Sequence, residues 1–464
     1  MATVGPAIAN PESLLKLVQH GVDVFRLNFS HGDLETHASV IAMIDQINRE
    51  HDAKVGILAD LQGPKIRIGE IEGGSMEIEE GQELIFRTDA DEEGSLFMTY
   101  ANFARDVAVG DRILIDDGKL ELEAVSSNRK NEVKAKVIYG GTLSSRKGVN
   151  LPNTRISVPS LTDKDKKDLR FILENDVQWI ALSFVRKADD LRELRGIINF
   201  HNRPARIIAK VERPEALDDL DAIIDAADGI MVARGDLGVE VPMEKIPMIQ
   251  KDITKRCRVK AKPVVIATQM MESMINNSRP TRAEATDVAN AVMDGADTVM
   301  LSGETSVGKY PVKVVDSMRR IIEEVEENDD LYHHDERPHA DSPTYLSDVV
   351  CHNACRVAMH MGAKALMGMT RSGYTAIQIA SQRPKAKIYV FTDSPHLIKT
   401  LSLVWGVQAF FYNRFESTDK TIDEVQQILK KNGLVKRGDI VLNTGSMPLN
   451  ERGRTNMLKV SEVR

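Results

Sequence analysis

Residues 207–212 read Ile-Ile-Ala-Lys-Val-Glu, an apolar β-branched run that ends in a lysine and a glutamate. Alternate residues of a strand share a face, so Lys210 and Glu212 point the same way. A second apolar run, from residue 229, ends at Asp236. If the two runs are neighbouring strands, two carboxylates and one ammonium meet at one end of a sheet. Two carboxylates suit a hard divalent cation, and the lysine suits a phosphoryl group in transfer. Taken alone, the same residues also fit a surface ion pair.

Apolar β-branched runs alternate with helical patterns through much of the chain. The predicted strands are 2–5, 22–29, 55–61, 177–184, 205–212, 229–235, 263–269 and 296–302. Eight strand–helix units with continuously apolar strands predict an α/β fold of the (β/α)8 barrel type. A doubly wound open sheet is the rival, but it usually has fewer strands and a glycine-rich first turn, which this sequence lacks.

Two segments depart from this alternation. Short alternating runs with turn signals between residues 64 and 158 predict a small β-barrel domain inserted into a barrel loop. After a linker, residues 341–464 predict a C-terminal α/β domain with a mostly parallel sheet. The catalytic barrel would then comprise residues 1–63 and 159–327.

Composition restricts the possible functions. A length of 464 residues suggests about three domains. The net charge of −8, with both signs interspersed, argues against nucleic acid as a partner. No apolar stretch approaches a membrane span, and no secretory signal is apparent. The three cysteines are expected to be reduced thiols, so we predict a cytoplasmic protein.

The ends of the predicted barrel strands are unusually polar. Active sites of such barrels lie at the C-terminal ends of the strands. The polar residues at these ends include Arg26, Asn28, Ser30, Asp60, Lys65, Ser183, Lys210, Glu212, Asp236, Thr268 and Glu304. Any one of them could cap a helix or a loop, but stability alone explains the whole set poorly.

A second candidate site lies in the C-terminal domain. Residues 370–375 read Thr-Arg-Ser-Gly-Tyr-Thr and lead from a predicted strand into a helix. Hydroxyl groups, a glycine and a helix N-terminus suit an anion, and we predict a phosphorylated effector there. The alternative is an ordinary helix cap.

Several ordered blocks give the chain a resemblance to the pyruvate kinase family from residue 2 to the C-terminus. The blocks are Ala2-Thr-Val-Gly-Pro-Ala7, Arg26-Leu-Asn-Phe-Ser-His-Gly32, Asp60-Leu-Gln-Gly-Pro-Lys65, Lys147-Gly-Val-Asn-Leu-Pro152, Ile230-Met-Val-Ala-Arg-Gly-Asp-Leu-Gly-Val-Glu240, Ala267-Thr-Gln-Met-Met-Glu-Ser-Met274 and Pro280-Thr-Arg-Ala-Glu284. The resemblance implies a barrel, a lid formed by the inserted domain, a C-terminal regulatory domain and a homotetramer. Family members carry a few residues before the first block, so we expect a shortened N-terminus that affects the first strand.

By resemblance, the reaction transfers the phosphoryl group of phosphoenolpyruvate to ADP, and enolpyruvate is then protonated to pyruvate. Glu212 and Asp236 would hold Mg²⁺ or Mn²⁺, and Lys210 would neutralise charge on the phosphoryl group. The remaining implied roles are phosphate binding by Arg26, carboxylate binding by the amides at Gly235 and Asp236, protonation near Thr268, and nucleotide binding by Asn28, Arg67 and Lys147.

One departure from the family pattern concerns a monovalent cation. Many members bind it through Asn, Ser, Asp and Thr and carry a glutamate nearby. Here Asn28, Ser30 and Asp60 remain, but Leu61 replaces the threonine and Lys65 replaces the glutamate. The resemblance is therefore to the potassium-independent branch, with the charge of Lys65 in place of K⁺.

Two other functions remain open. A magnesium-dependent barrel lyase or aldolase would share the carboxylate pair but would not need Lys147 on a lid. A metabolite-sensing protein without catalysis would not need Lys210, Glu212, Asp236 and Thr268 together. ATP formation in a coupled assay separates these functions from a kinase.

Overall fold

In the computed structural model, the chain begins with the first strands and helices of a parallel barrel. The structure describes residues 1–89, 94–152, 154–332, 334–414, 417–447 and 454–464. Its first elements are β1 (Ala2–Thr3), α1 (Pro11–Gln19), β2 (Val24–Asn28), α2 (Leu34–Glu50) and β3 (Gly56–Asp60). Strand β1 is shorter than the predicted 2–5, yet it pairs in parallel with β2.

The insertion after β3 is built almost entirely of short strands. Its elements are β4 (Ser75–Ile78), β5 (Glu83–Arg87), β6 (Leu96–Phe97), α3 (Phe103–Asp106), β7 (Arg112–Ile115), β8 (Leu120–Ser127), β9 (Glu132–Tyr139), β10 (Gly141–Ser144) and β11 (Val149–Asn150). They form a six-stranded sheet in the order β11-β7-β8-β9-β5-β6 and a two-stranded sheet of β10 and β4. The alternating inner residues form a hydrophobic core of their own, which includes Phe86, Phe103 and Leu122.

The barrel then resumes with longer helices between buried strands. Its elements are α4 (Asp163–Glu174), β12 (Trp179–Leu182), α5 (Ala188–Phe200), β13 (Arg206–Val211), α6 (Pro214–Asp218), α7 (Leu220–Ala226), β14 (Gly229–Ala233), α8 (Arg234–Glu240), α9 (Ile246–Val259), β15 (Val264–Ala267), α10 (Arg282–Asp294), β16 (Thr298–Val299), α11 (Gly303–Ser306) and α12 (Pro311–Glu326), with 3₁₀ turns at Met243–Lys245, Glu272–Ile275 and Asp329–Leu331.

Eight parallel strands close into the barrel that the sequence predicts. Their order is β1-β2-β3-β12-β13-β14-β15-β16. A parallel bridge between Ala2 and Leu301 joins the two ends, and the Thr3 amide donates to the Leu301 carbonyl at 2.9 Å. Closure places the C-terminal ends of all eight strands around one rim, where ligands bind in this fold.

The C-terminal segment forms a separate mostly parallel sheet flanked by helices. Its elements are α13 (Tyr345–Met361), β17 (Ala365–Met369), α14 (Tyr374–Ser381), β18 (Lys387–Thr392), α15 (Pro395–Leu401), β19 (Val407–Phe411), α16 (Thr418–Lys431), β20 (Ile440–Gly445) and β21 (Met457–Glu462). The strand order is β19-β18-β17-β20-β21, and only the β20–β21 pair is antiparallel. In the described part of the chain, no helix is long and apolar enough to cross a membrane.

The C-terminal segment closes the lower end of the barrel. Leu403, only 1% exposed, packs with Trp179, Met231 and Met300 in the barrel interior. The Trp179 indole donates to the Thr400 carbonyl at 3.0 Å. The catalytic rim is therefore at one end of the barrel, and the C-terminal domain is docked at the other.

We expect Leu403→Ala to lower the free energy of unfolding by about 3 kcal/mol, because it leaves a cavity among well-packed side chains. Calorimetry should show a lower midpoint for the transition that includes the barrel. The matched control is Leu346→Ala, whose side chain is 72% exposed. An equal midpoint shift in both variants would contradict the role of Leu403 in closing the barrel.

Candidate active site

The pairing of β13 with β14 brings the predicted charged residues together. The two strands are parallel neighbours, with Lys210 opposite Met231 and the following Val211 opposite Val232. Glu212 follows β13 directly, and Asp236 lies in the first turn of α8, which follows β14. The carboxylates therefore meet at the rim, as the sequence predicts.

Lys210 is held by side chains from three different strands. Its Nζ lies 2.8 Å from Glu212 Oε1 and 3.0 Å from Asp60 Oδ1, and it donates to Ser183 Oγ at 2.8 Å. The lysine side chain is 11% exposed. Three acceptors match the three protons of an ammonium, so its position is well defined.

The surroundings of Lys210 keep it charged. Burial alone disfavours the ammonium, but the Asp60 and Glu212 carboxylates outweigh it and raise the pKa of Lys210 above its ordinary value. Burial likewise disfavours the Asp60 carboxylate, yet Lys210 and Arg26 hold its pKa below the usual value. The site therefore holds a permanent positive charge where a phosphoryl group could bind.

Glu212 and Asp236 are suitable ligands for a divalent cation. Burial raises the pKa of Glu212 to about 7, with Lys210 opposing the shift and Asp236 adding to it. Glu212 Oε1 accepts from Lys210, and Oε2 accepts from the Phe184 amide at 2.8 Å. One ammonium, that of Lys210, does not balance the negative charge of Glu212, Asp60 and Asp236, and Mg²⁺ or Mn²⁺ would supply further positive charge. Since the protein offers two carboxylates, such an ion would complete its shell with water and substrate oxygens.

Thr268 lies at the rim with a strained backbone. Thr268 and Gln269 have positive φ values of 68° and 53°, a conformation that non-glycine residues adopt at a cost of about 1–3 kcal/mol. The Gly235 amide donates to Thr268 Oγ1 at 2.7 Å, and Arg234 Nη2 donates to the Thr268 carbonyl at 2.7 Å. These contacts place the hydroxyl group next to the start of α8 and near Asp236.

The proposed cation-site residues have other partners within the protein. Asp60 is 1% exposed, and its Oδ2 accepts from Arg26. Asn28 Oδ1 accepts from the Ser30 amide at 3.1 Å, and the Leu61 side chain is buried in the hydrophobic core. Burial lowers the pKa of the Lys65 ammonium and Arg67 lowers it further, whereas Asp236 opposes the shift. Lys65 thus lies within electrostatic range of Asp236.

Two of the three residues predicted to bind nucleotide, Arg67 and Lys147, lie in the inserted domain, and the third, Asn28, ends β2 of the barrel. Lys147 Nζ pairs with Asp116 at 2.8 Å, and Arg67 Nη1 donates to the Arg146 carbonyl at 2.7 Å. Burial lowers the pKa of His31, and Lys65, Arg67 and Arg26 lower it further. Lys65, Arg67 and Arg26 therefore all lie within electrostatic range of His31, and a concentration of positive charge suits phosphate groups.

The loop at 370–375 is ordered by hydrogen bonds within the loop and to neighbouring segments. Thr370 Oγ1 accepts from the Gly373 amide at 2.9 Å, and Thr375 Oγ1 shares a hydrogen bond with Thr455 Oγ1 at 2.6 Å. The Tyr374 hydroxyl donates to Asp348. Ser372 and Arg371 are exposed, so they present the accessible polar groups of this loop.

Sequence reasoning missed the partners that fix Lys210. It assigned Asp60 to a cation site, and it noted Ser183 without a role. Asp60 ends β3 and Ser183 follows β12, and that position was the available signal. Which of the many rim residues contact Lys210 depends on the closure of the barrel.

Comparisons with known proteins agree with this architecture. Two family models match the chain: pyruvate kinase, barrel domain, over residues 1–315, and pyruvate kinase, alpha/beta domain, over residues 348–461. The fold is that of a phosphotransferase with a (β/α)8 barrel, an inserted β domain and a C-terminal α/β domain. The chain belongs to the pyruvate kinase family, and its reaction transfers a phosphoryl group from phosphoenolpyruvate to ADP.

Bacterial pyruvate kinases are among the similar proteins. The chain is 45% identical to the pyruvate kinase of Corynebacterium efficiens, over 99% of this chain and 96% of the relative. It is 43% identical to that of Mycobacterium intracellulare, over 100% and 98%. A crystal structure of a pyruvate kinase from Cryptosporidium parvum superposes with a TM-score of 0.93 at 35% identity, covering 100% of this chain and 95% of that one.

Proposed function

We propose that Lys210, Glu212 and Asp236 form the phosphoryl-transfer centre of this enzyme. The observation that carries the assignment is the position of Lys210, buried between Asp60 and Glu212 and one strand away from Asp236. A positioned, permanently charged ammonium stabilises charge that develops on a transferring phosphoryl group. A lyase or aldolase would share the carboxylates, but the positive groups of the inserted domain favour the kinase.

The metal site would be formed by Glu212 and Asp236. The bound Mg²⁺ or Mn²⁺ would neutralise negative charge on the substrate oxygens. Arg26, already oriented by Asp60, would hold the phosphate of phosphoenolpyruvate. The amides of Gly235 and Asp236 would bind the substrate carboxylate. For the Gly235 amide this requires release of its hydrogen bond to Thr268 Oγ1.

Proton transfer and exclusion of water would follow from the same rim. The Thr268 hydroxyl group would hold the water that protonates the enolate carbon. Arg67 and Lys147 of the inserted domain, with Asn28 of the barrel, would bind the nucleotide. Closure of the inserted domain over the rim would keep bulk water from the phosphoryl group and prevent its hydrolysis.

Lys210→Met should reduce turnover at least about 100-fold, because loss of one such charge typically removes about 3 kcal/mol of transition-state stabilisation. A coupled assay for pyruvate and ATP measures the effect, and Mn²⁺ binding followed by electron paramagnetic resonance should persist. Lys187→Met, at a 61% exposed lysine on the barrel surface, is the control. Turnover of Lys210→Met within tenfold of wild type would refute the assignment.

A second part of the proposal is independence from K⁺. Support comes from Leu61, whose buried side chain offers no oxygen, and from Lys65, whose charge acts on the region of Asp236 and Lys210. A tethered ammonium and a mobile cation can supply the same charge, but only the ammonium is always present.

The wild type should therefore retain nearly full activity in buffers free of Na⁺ and K⁺, with tetramethylammonium chloride keeping the ionic strength constant. Lys65→Glu should lower activity, and added K⁺ should restore part of it. Lys364→Glu, at an exposed lysine of the C-terminal domain, makes the same charge change far from the site. A wild type that is inactive without K⁺ would disprove this part of the proposal.

The third part is an anionic effector at residues 370–375, namely Thr370, Arg371, Ser372, Gly373, Tyr374 and Thr375. The exposed Ser372 hydroxyl group and the N-terminus of α14 support it. Because the Thr375 side chain is buried whereas Ser372 and Arg371 are exposed, Ser372 and Arg371 are the better candidates for contact.

Ser372→Asp should suppress activation by a phosphorylated effector without changing turnover at saturating substrate, since a carboxylate repels a phosphate. Ser372→Asn is the neutral control and should keep the response. Substrate curves measured with a panel of sugar phosphates and nucleoside monophosphates provide the test. If none of them shifts the curve of the wild type, the loop is not a regulatory site.

Three expectations stay predictions: the homotetramer, the cytoplasmic location and the domain limits at residues 64, 158 and 341. The buried, free thiols Cys257, Cys351 and Cys355 support the location, because they suit a reducing compartment. Analytical ultracentrifugation measures the assembly directly.

A further inference from the structure

A buried ion pair connects the two segments that carry the metal carboxylates. Arg213 follows Glu212 in the chain, and Glu240 ends α8, whose first turn carries Asp236. Arg213 Nη1 donates to Glu240 Oε1 at 2.7 Å, and the two side chains are only 3% and 1% exposed. The pair thus ties the end of β13 to the end of α8.

The same pair holds the segment by which the chain returns from the inserted domain to the barrel. Asn150, the last residue of β11, donates from Nδ2 to Glu240 Oε1 at 2.9 Å. Arg213 Nη2 donates to the carbonyls of Leu151 and Thr154, both at 3.3 Å. We call Arg213, Glu240 and Asn150 the hinge anchor.

Stability alone accounts poorly for the hinge anchor. Burying two charges costs about as much as their attraction returns, and apolar replacements are often at least as stable. Arg213 Nε and Glu240 Oε2 are also buried without a hydrogen-bond partner among the described residues. A donor and an acceptor are thus left over in the same ion pair. A small rotation of the guanidinium that engages both carboxylate oxygens would satisfy both atoms.

Movement at this hinge would change the distance between the lid and the metal carboxylates. A Cβ added to Gly118 of the inserted domain would lie 3.7 Å from Val239 of α8, so the lid tip is already close to this helix. Lys147 pairs with Asp116 in the same part of the lid. The chain leaves the barrel for the inserted domain at Gly63, where packing is tight, since a Cβ added to Gly63 would lie 2.8 Å from Phe184 Cδ2. The returning segment is therefore where the angle of the lid can be set.

We propose that Arg213, Glu240 and Asn150 are positioning residues that fix the lid over the metal carboxylates during phosphoryl transfer. This rests on the proposed roles of Glu212, Asp236 and Lys147. None of the three needs to touch substrate. Each acts by joining the lid to the two barrel segments whose geometry the transfer requires.

The test measures lid position without relying on catalysis. Spin labels are placed at Glu80→Cys in the lid and Asn199→Cys on α5, both exposed positions, because the native cysteines are buried. Double electron–electron resonance, with and without MgADP, compares the parent with Arg213→Met/Glu240→Met. We expect the double variant to fold and to show a broader lid–barrel distance distribution with MgADP than the parent.

Kinetics complete the test. The double variant should lower kcat/KM for ADP about tenfold or more, since misplacing reacting groups by about 1 Å can cost that much. Its Mn²⁺ affinity should stay within twofold. Arg213→Lys should restore part of the effect, and Arg192→Met, at a 66% exposed arginine, is the surface control. Asn150→Ala should broaden the lid distances with a smaller loss of activity.

If the double variant folds and has the same lid–barrel distance distribution and the same ADP kinetics as the parent, the proposal is overturned, and the ion pair has a structural role only. Failure of the proposed function would be seen in a different experiment, as turnover of Lys210→Met within tenfold of wild type. That result says nothing about lid distances, so the two outcomes are distinguishable.

Discussion

The ammonium of Lys210 depends on acceptors from three strands, and this requirement governs the geometry of the catalytic rim. A lone buried ammonium would lose its proton, but Asp60 and Glu212 keep it charged. Asp60 also accepts a hydrogen bond from Arg26. Neutralising Asp60 would therefore remove one anionic partner from each of two cations, Lys210 and Arg26. The register of β3 against β2 and β12 holds Asp60 in this position.

The barrel supplies that register, and the other two domains act from opposite ends. The inserted domain follows β3 directly and carries Arg67 and Lys147, the residues proposed to bind nucleotide. The C-terminal domain closes the bottom with Leu403 and hydrogen-bonds to Trp179. Arg206, at the start of β13, also donates to the Ser372 carbonyl. The strand that ends at Lys210 thus begins in contact with the loop proposed to bind an effector.

The hinge anchor shows how a charged pair can be placed where stability does not demand it. Arg213 adjoins Glu212, and Glu240 lies four residues after Asp236. The two side chains contact each other and the segment that returns from the inserted domain. A polar contact of this kind has defined directions, whereas an apolar one can slide. This difference is the physical basis for assigning the pair to lid position.

Local periodicity and the pairing of adjacent strands are enough to predict the eight strand–helix units, the inserted and C-terminal patterns, and the grouping of Lys210, Glu212 and Asp236. The partners of these side chains depend instead on the complete fold. Asp60 forms an ion pair with Lys210, which lies 150 positions later in the chain. The Thr375 hydroxyl group is hydrogen-bonded to that of Thr455, and Lys65 is within electrostatic range of Asp236. Such contacts depend on barrel closure and side-chain direction, which no local pattern encodes.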